Sequence, residues 1–386
     1  MAVNKVDING ATVLDLTGDS VTPETLLQGA TAHDASGAAI TGTMVRDTKL
    51  KIIVSVASGA VVTATKGSLS ISGTSVNGTC TLTVPEAGTW SVKATLSGQM
   101  SDTKSVTFTD RYAVTLSFVS AVLNDNDWAT IKKISDKGEG ANYWSIGDRK
   151  ALTLNGTVGK LSLSNVTTYA FIIGFNHNSS VEGTNRIHFQ LAKSALSGGT
   201  DVALYDSRYS GDVNWGVAGA GYFVMNEAQT SSGGWKSSQM RTSICGTSLS
   251  NYSGTIIAVI PAALRAVLKP VTKYTDNTGN GSAASAVTAT TDYFFLLSEY
   301  EVFGSISYGN ANEKNKQAQY SYYSAGNSKI KYKYDATTTA ILWWLRSPAT
   351  SPNISSTVSF ARVSADGSVN HLMSNYSLGF APGFCV

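Results

Sequence analysis

The sequence predicts a multidomain protein in which a small N-terminal module (residues 1–48) precedes an all-β sandwich (49–118) and an α+β domain (119–386). Three observations carry this expectation. At 386 residues the chain is longer than one ordinary hydrophobic core serves. Residues 49 to about 110 alternate apolar and polar side chains as half-buried strands do. Beyond residue 118 the aromatics thicken, and every tryptophan except Trp90 lies there.

Composition narrows the partners. Charged residues make up 14% of the chain and the net charge is +3, far below the basic density with which nucleic-acid binders neutralise phosphate. Nucleic acid is therefore not an expected partner. The run Met1-Ala2-Val3-Asn4-Lys5-Val6-Asp7 lacks the apolar stretch of a secretory signal, and nothing approaches the roughly 18 apolar residues of a membrane span. Synthesis in a cytoplasm, without membrane insertion, is expected. Cys80, Cys245 and Cys385 are odd in number and far apart, so buried free thiols are expected rather than a disulfide framework or a zinc site.

In the first module, Thr22 can start a short helix with Pro23 at its first position, running to Gly29. The turn-rich run Thr31 to Met44 is too short and too rich in Gly and Ala to close a core, so the module needs copies of itself or a partner. His33 and Asp34 are turn-forming polar residues in this setting, not a catalytic pair. The run from Gly29 to Met44 resembles a short module near the start of tail-fibre and tail-associated proteins of phages and prophages of Gram-positive gut bacteria. The resemblance implies a place in a virion tail fibre or tail tip, contacts with other tail proteins, and a symmetric homotrimer.

The second segment carries strand-like runs at Leu50–Val56, Val61–Thr65, Cys80–Val84, Trp90–Leu96 and Ser105–Phe108. Gly59, Gly67, Gly73, Asn77-Gly78, Ala87-Gly88 and Ser97-Gly98 punctuate them at the spacing of a small sandwich. It resembles Ig-like or carboxypeptidase-regulatory-like spacer modules. That implies a spacer with Trp90 in its core, carbohydrate binding being the alternative.

In the third segment, Asn126 or Asp127 can cap a helix whose Trp128, Ile131 and Ile134 share one face, ending near Lys137-Gly138. Strands are expected at Leu161–Leu163, Tyr169–Phe175 and Arg186–Leu191, a helix entrance at Gly233–Arg241, and a helix from Ala262 to Lys269 stopped by Pro270. Asp292 to Gly304 is the most apolar expected strand. Ala192 to Gly221 has the composition of a long surface loop.

The ordered series Tyr143-Trp144-Ser145-Ile146-Gly147-Asp148, Gly233-Gly234-Trp235 with Met240-Arg241, Phe295-Leu296-Leu297-Ser298-Glu299, Gln319-Tyr320-Ser321-Tyr322-Tyr323, Trp343-Trp344-Leu345-Arg346-Ser347-Pro348 and Gly379-Phe380-Ala381-Pro382 resembles the DUF6273-type domain of gut Firmicutes and their phages, over roughly residues 120 to 386. That family is similar to the C-type-lectin-like fold shared by formylglycine-generating enzymes and by the variable proteins of diversity-generating retroelements. The resemblance implies a rigid frame, with Trp343 to Pro348 and Leu378 to Val386 as frame strands, and a changeable surface between Ser351 and Tyr376. The enzyme branch of the fold depends on a cysteine-rich site, and only Cys245 and Cys385 fall in this domain.

Binding is expected on that surface, because Tyr, Ser and Asn supply adaptable contacts at low entropic cost. The candidate ligand-binding residues are Ile354, Ser356, Phe360, Arg362, His371, Met373, Asn375 and Tyr376. Alternation along Ser359–Ser364, a turn at Asp366-Gly367 and Ser368–His371 predict a hairpin that puts Phe360 and Arg362 on a face related to that of Val369 and His371. No catalytic residues are expected. Glu299 and Glu301, two apart on a presumed strand, are the best pair for glycoside hydrolysis, but Glu299 is expected to pair with Arg346 or Arg241 instead. His177, His188 and His371 are widely spaced, so no metal centre is expected; loop carboxylates Asp201, Asp206 and Asp212 leave a structural calcium open. The sequence thus predicts a receptor-binding protein for a bacterial surface protein or glycan, the alternatives being a glycan-degrading tail enzyme and a purely structural tail or baseplate component.

Overall fold

The computed structural model describes residues 2–44, 49–97, 99–101, 103–109, 111–205, 223–279, 281–350 and 357–386. It is a multi-sheet, mostly β protein with short helices. Two compact units emerge: Met1–Ser97 with Ser101–Phe118, and Gly98–Met100 with Val119–Val386.

The first unit begins with a hairpin, Lys5–Ile8 against Ala11–Asp15, turned by Asn9 and Gly10 with φ of 52° and 82°. The left-handed pair is what a tight hairpin turn requires. The expected helix after Thr22 is a single turn closed by Leu26 N–H to Thr22 O at 3.1 Å. Among residues 2–44 only Gly42 is buried. A Cβ there would lie 2.2 Å from Leu27 O and 2.3 Å from Leu26 O, so this glycine lets two backbones touch.

Downstream, the strands Leu69–Thr74, Val61–Lys66, Gly88–Leu96 and Lys104–Phe108 form one antiparallel array. A second array runs Arg111–Thr115, Lys51–Ser55, Thr79–Thr83, its first pair parallel. Alternate residues of both, among them Ile52, Val54, Val62, Leu82 and Val92, meet in one core around the fully buried Trp90.

The second unit is organised on an antiparallel sheet in the order Arg149–Val158, Leu161–Phe175, Ile187–Lys193, Gly383–Cys385, Phe294–Phe295. The two strands expected between 161 and 175 are one strand of 15 residues. All of Ile187–Lys193 is buried, and the C-terminal strand pairs on both edges. The Trp128–Asp136 helix starts where expected: the Asp127 carboxylate accepts the Thr130 N–H at 2.7 Å. Its Trp128 ring meets Phe189 edge-on at 5.6 Å, closing the helix onto the sheet. The expected Ala262–Lys269 helix is shorter, Ala262–Arg265. Part of the expected Ala192–Gly221 surface loop is core: Val202–Ala203 is a buried strand, while 206–221 lie outside the described residues.

The largest departure concerns Asp292 to Gly304. Only Phe294–Phe295 is strand; Ser298 then caps a helix, Glu299–Phe303. Ser298 Oγ accepts the Glu301 N–H and Glu301 Oε2 accepts the Ser298 N–H, both at 3.0 Å. This reciprocal cap turns Glu301 inward, onto Arg346. The Arg346 guanidinium binds both Glu301 oxygens, Nη2 to Oε1 at 2.8 Å, and donates to Leu296 O and Thr275 Oγ1, each at 2.8 Å. The Lys273 ammonium donates to Glu301 Oε1 (3.0 Å), Glu182 Oε2 (2.7 Å) and Tyr320 OH (2.7 Å). Arg346, Lys273 and Glu301 are each about 0–1% exposed. Such charges persist only because every one is paired.

Arg346→Met strands the Glu301 charge beside Lys273 alone, and we expect it to lower unfolding free energy by about 3–5 kcal/mol in denaturant titration. The double variant Arg346→Met with Glu301→Gln is expected to regain part of that loss; an equal loss in both would assign the cost to packing.

Candidate functional site

The frame of the predicted surface is the fully buried strand Trp343–Pro348. Trp343, Trp344 and Leu345 are all core, and Trp344 Nε1 donates to Phe223 O at 3.0 Å. On this strand lies Ser359–Val363, and on that Val369–Met373, both antiparallel. The hairpin turns at Asp366-Gly367: Gly367 has φ 86°, and Asp366 Oδ1 accepts the Ser368 N–H at 2.9 Å. Every residue of Val369–Met373 is half-buried, so this edge strand offers side chains from a backbone held on one side.

The register corrects the expected facing. Ala361 stands opposite His371 and Arg362 opposite Asn370, so Phe360 and Arg362 point to one face while Val369, His371 and Met373 point to the other. Phe360 and Tyr376 are further corrections, being 0% and 1% exposed and part of the hydrophobic core. Their bulk is what seats the hairpin on the frame. Asn375 is 8% exposed, and its side-chain oxygen has no hydrogen-bond partner among the described residues. Met373 is half-buried, its sulfur accepting from Gln229 Nε2 at 2.8 Å. Arg362 is half-buried and donates to Ser364 Oγ at 2.9 Å. Ile354 and Ser356 lie outside the described residues.

A loop that sequence reasoning missed joins this surface. Glu299 does not pair with Arg346 or Arg241. Fully buried, it receives the backbone N–H groups of Ser307 (2.5 Å), Tyr308 (3.2 Å) and Gly309 (2.7 Å). Burial raises its pKa and the three N–H donors oppose the rise. The loop so gripped carries Tyr308, whose ring lies 5.0 Å from the His371 ring and whose carbonyl accepts the Thr350 N–H at 2.7 Å. Burial, then Arg362, lowers the His371 pKa, keeping its imidazole neutral at ordinary pH. A signal for the loop existed in the spacing Ser298-Glu299-Tyr300-Glu301, a capping box at the head of a helix.

The fold also gathers residues that looked isolated. His177 and His188 have ring centroids 5.5 Å apart with Glu182 beside both, the three offering ligand atoms within 4.8 Å of one another. These are the residues that could hold a metal. However, His177 Nε2–H donates to Ala318 O at 2.9 Å, and Glu182 already takes the Lys273 ammonium. Burial alone would raise the Glu182 pKa, but Lys273 and then His177 hold it at about 2. The cluster is therefore a charge-balanced core with a lysine in the cation's role. His371 lies apart from it, beside Tyr308.

For the other candidates, Asp201 is buried against Lys193 and has Lys331 Nζ at 3.8 Å, a setting that supplies its positive charge from lysine; Asp206 and Asp212 lie outside the described residues. Arg241 pairs with Asp292, Nε to Oδ1 at 2.6 Å. Cys80, Cys245 and Cys385 are buried free thiols, and burial pushes Cys385 up to about 12, far from an activated thiolate.

Residues 220–386 match the family model of DUF6273, a domain of unknown function. The match supports the domain assignment made from the motifs, over a shorter stretch than the motifs cover. No curated protein matches the chain. The physical unit is larger than the matched segment, because Gly383–Cys385 pairs with Ile187–Lys193 and Lys273 bonds Glu182.

Glu313 offers a pH signature for this core. Burial raises its pKa from 4.5 to about 7, against hydrogen bonds from Ser347 and the Asp276 N–H. The fold thus favours the protonated acid, a contribution present in full below pH 4.5 and lost as pH rises through about 7. Between about pH 5 and about pH 8 the native chain should lose roughly 1–3 kcal/mol relative to its Glu313→Gln variant in parallel melts. Parallel profiles would show that Glu313 is ionised throughout.

Proposed function

We propose that this chain is a receptor-binding protein of a phage or prophage tail. It grips a bacterial surface molecule through its C-terminal domain, a domain of the C-type-lectin-like kind, and performs no chemistry. The observation that carries this is the half-buried Val369–Met373 strand mounted, through Ser359–Val363, on the fully buried Trp343–Pro348. A recognition surface needs side chains free to touch a ligand on a backbone that is not free to move, and this is such an arrangement.

Two further observations support it. The carboxylates best placed in sequence for glycoside hydrolysis are spent on structure, Glu301 on Arg346 and Lys273, Glu299 on three backbone N–H groups. The N-terminal module exposes Ile8, Val13 and Leu27 by about half or more of their surface, apolar area that a homotrimer or a tail partner would cover. Trimeric display multiplies weak single contacts. Where a retroelement accompanies the gene, its variation would fall within Ser351 to Tyr376.

The test uses the full chain and fluorescence binding to a panel of intact Gram-positive gut bacteria. Binding to a subset of strains is expected, and replacing Asn370, His371 and Met373 together by Ala is expected to weaken it by about tenfold or more, the loss of one or two strong contacts, with the melting temperature held. Full binding by that triple variant would move the contact surface elsewhere.

A further inference from the structure

The geometry points to a neutral sugar as the group recognised beside the hairpin, an inference that rests on the receptor-binding proposal and names the ligand class of that site. The loop gripped by Glu299 walls a cavity of about 240 Å³ lined by Ser282, Ile306, Ser307, Gly309, Asn310, Ala311 and Thr350. That is below the roughly 300–1,000 Å³ of sites that enclose drug-sized ligands, so it has room for a single ring.

Its chemistry is that of hydroxyl recognition. Among the described lining residues no side chain is charged. Two carboxylates back the described walls, and both are already met: Glu299 by the Ser307, Tyr308 and Gly309 N–H groups and Asp276 by the Gly281, Thr278 and Gly279 N–H groups. An anionic or cationic ligand therefore finds no counter-ion among the described residues that line the cavity. Ser282, Ser307 and Thr350 present hydroxyls that make no hydrogen bond to another described residue. A hydroxyl both donates and accepts, which is what a polyol needs from its site. Ile306 adds an apolar patch for the C–H face of a ring.

The cavity is also preorganised. Asn310, 1% exposed, does not offer its amide to a ligand: Nδ2 donates to Gly281 O (2.9 Å) and Ala283 O (3.1 Å), and Oδ1 accepts the Asn312 N–H at 3.0 Å. It ties the 281–283 wall to the 306–312 wall. The Thr350 N–H to Tyr308 O bond ties the third. Little ordering entropy is then left to lose when a ligand enters. Tyr308, between the lining residues Ser307 and Gly309, leans on His371, which joins the cavity wall to the half-buried Val369–Met373 strand. A peptide receptor would need a longer groove with alternating pockets.

The experiment is saturation-transfer NMR on the full chain with glucose, galactose, rhamnose and N-acetylglucosamine as probes, run beside the cell-binding assay. At least one sugar is expected to receive saturation from the native chain. Its affinity should fall about tenfold or more in a variant carrying Ser282→Ala, Ser307→Ala and Thr350→Val, changes that remove hydroxyls without altering the fold, as checked by circular dichroism. Periodate treatment of the cells should abolish binding. Cell binding that survives periodate and the hydroxyl variant but is lost on protease treatment of the cells overturns the sugar and leaves the receptor-binding proposal standing. Absence of binding to any cell, with no sugar saturated, overturns both.

Discussion

The C-terminal domain depends on one buried interaction, the two-pronged bond between Arg346 and Glu301. Arg346 sits on the strand that supports the hairpin, and Glu301 sits on the helix whose first residue, Glu299, holds the 307–309 loop. The pair therefore locks together the two elements from which the candidate binding surface hangs. Lys273 extends the lock to Glu182 and Tyr320, and so to the part of the domain that precedes the DUF6273 match. A buried network of this kind contributes little net stability compared with an apolar core, yet breaking one member is costly. Its use here is to fix position: each charge has one arrangement that satisfies it.

That arrangement explains how a surface can change while the fold does not. The residues that set the frame, Trp343, Trp344, Leu345, Phe360 and Phe384, are fully buried in one hydrophobic core. The half-buried residues Asn370, His371 and Met373 carry none of the buried charge. Substitution of Asn370 or His371 leaves every buried charge paired, while Met373 packs against the edge of the core.

Local signals made much of this legible in the sequence. The Trp128–Asp136 helix shows itself by the spacing of Trp128, Ile131 and Ile134 behind an aspartate cap. The hairpin shows itself by Asp366-Gly367 between two alternating runs. What escaped depends on partners far along the chain. Glu182 meets Lys273 across 91 positions and Arg346 meets Glu301 across 45, and no spacing rule reaches that far. Phe360 and Tyr376 look like contact residues because their neighbours are polar; burial is decided by what the frame lays over them. The Glu299–Phe303 helix was hidden by the apolar run Phe294–Leu297 before it, which imitates a strand and masked the cap at Ser298.

The central claim is that binding takes place on the 307–309 loop, Thr350 and the Val369–Met373 strand while the charged core stays fixed. Hydrogen–deuterium exchange of the full chain, with and without a cell-wall preparation from a bound strain, tests it most directly. The account predicts added protection at Ser307–Gly309 and Val369–Met373, with the amides of Lys273, Glu301 and Arg346 slow and unchanged in both states. Protection confined to the separate cavity at Gly159, Lys160 and Gln239, or a change in exchange at Arg346 on binding, would contradict it.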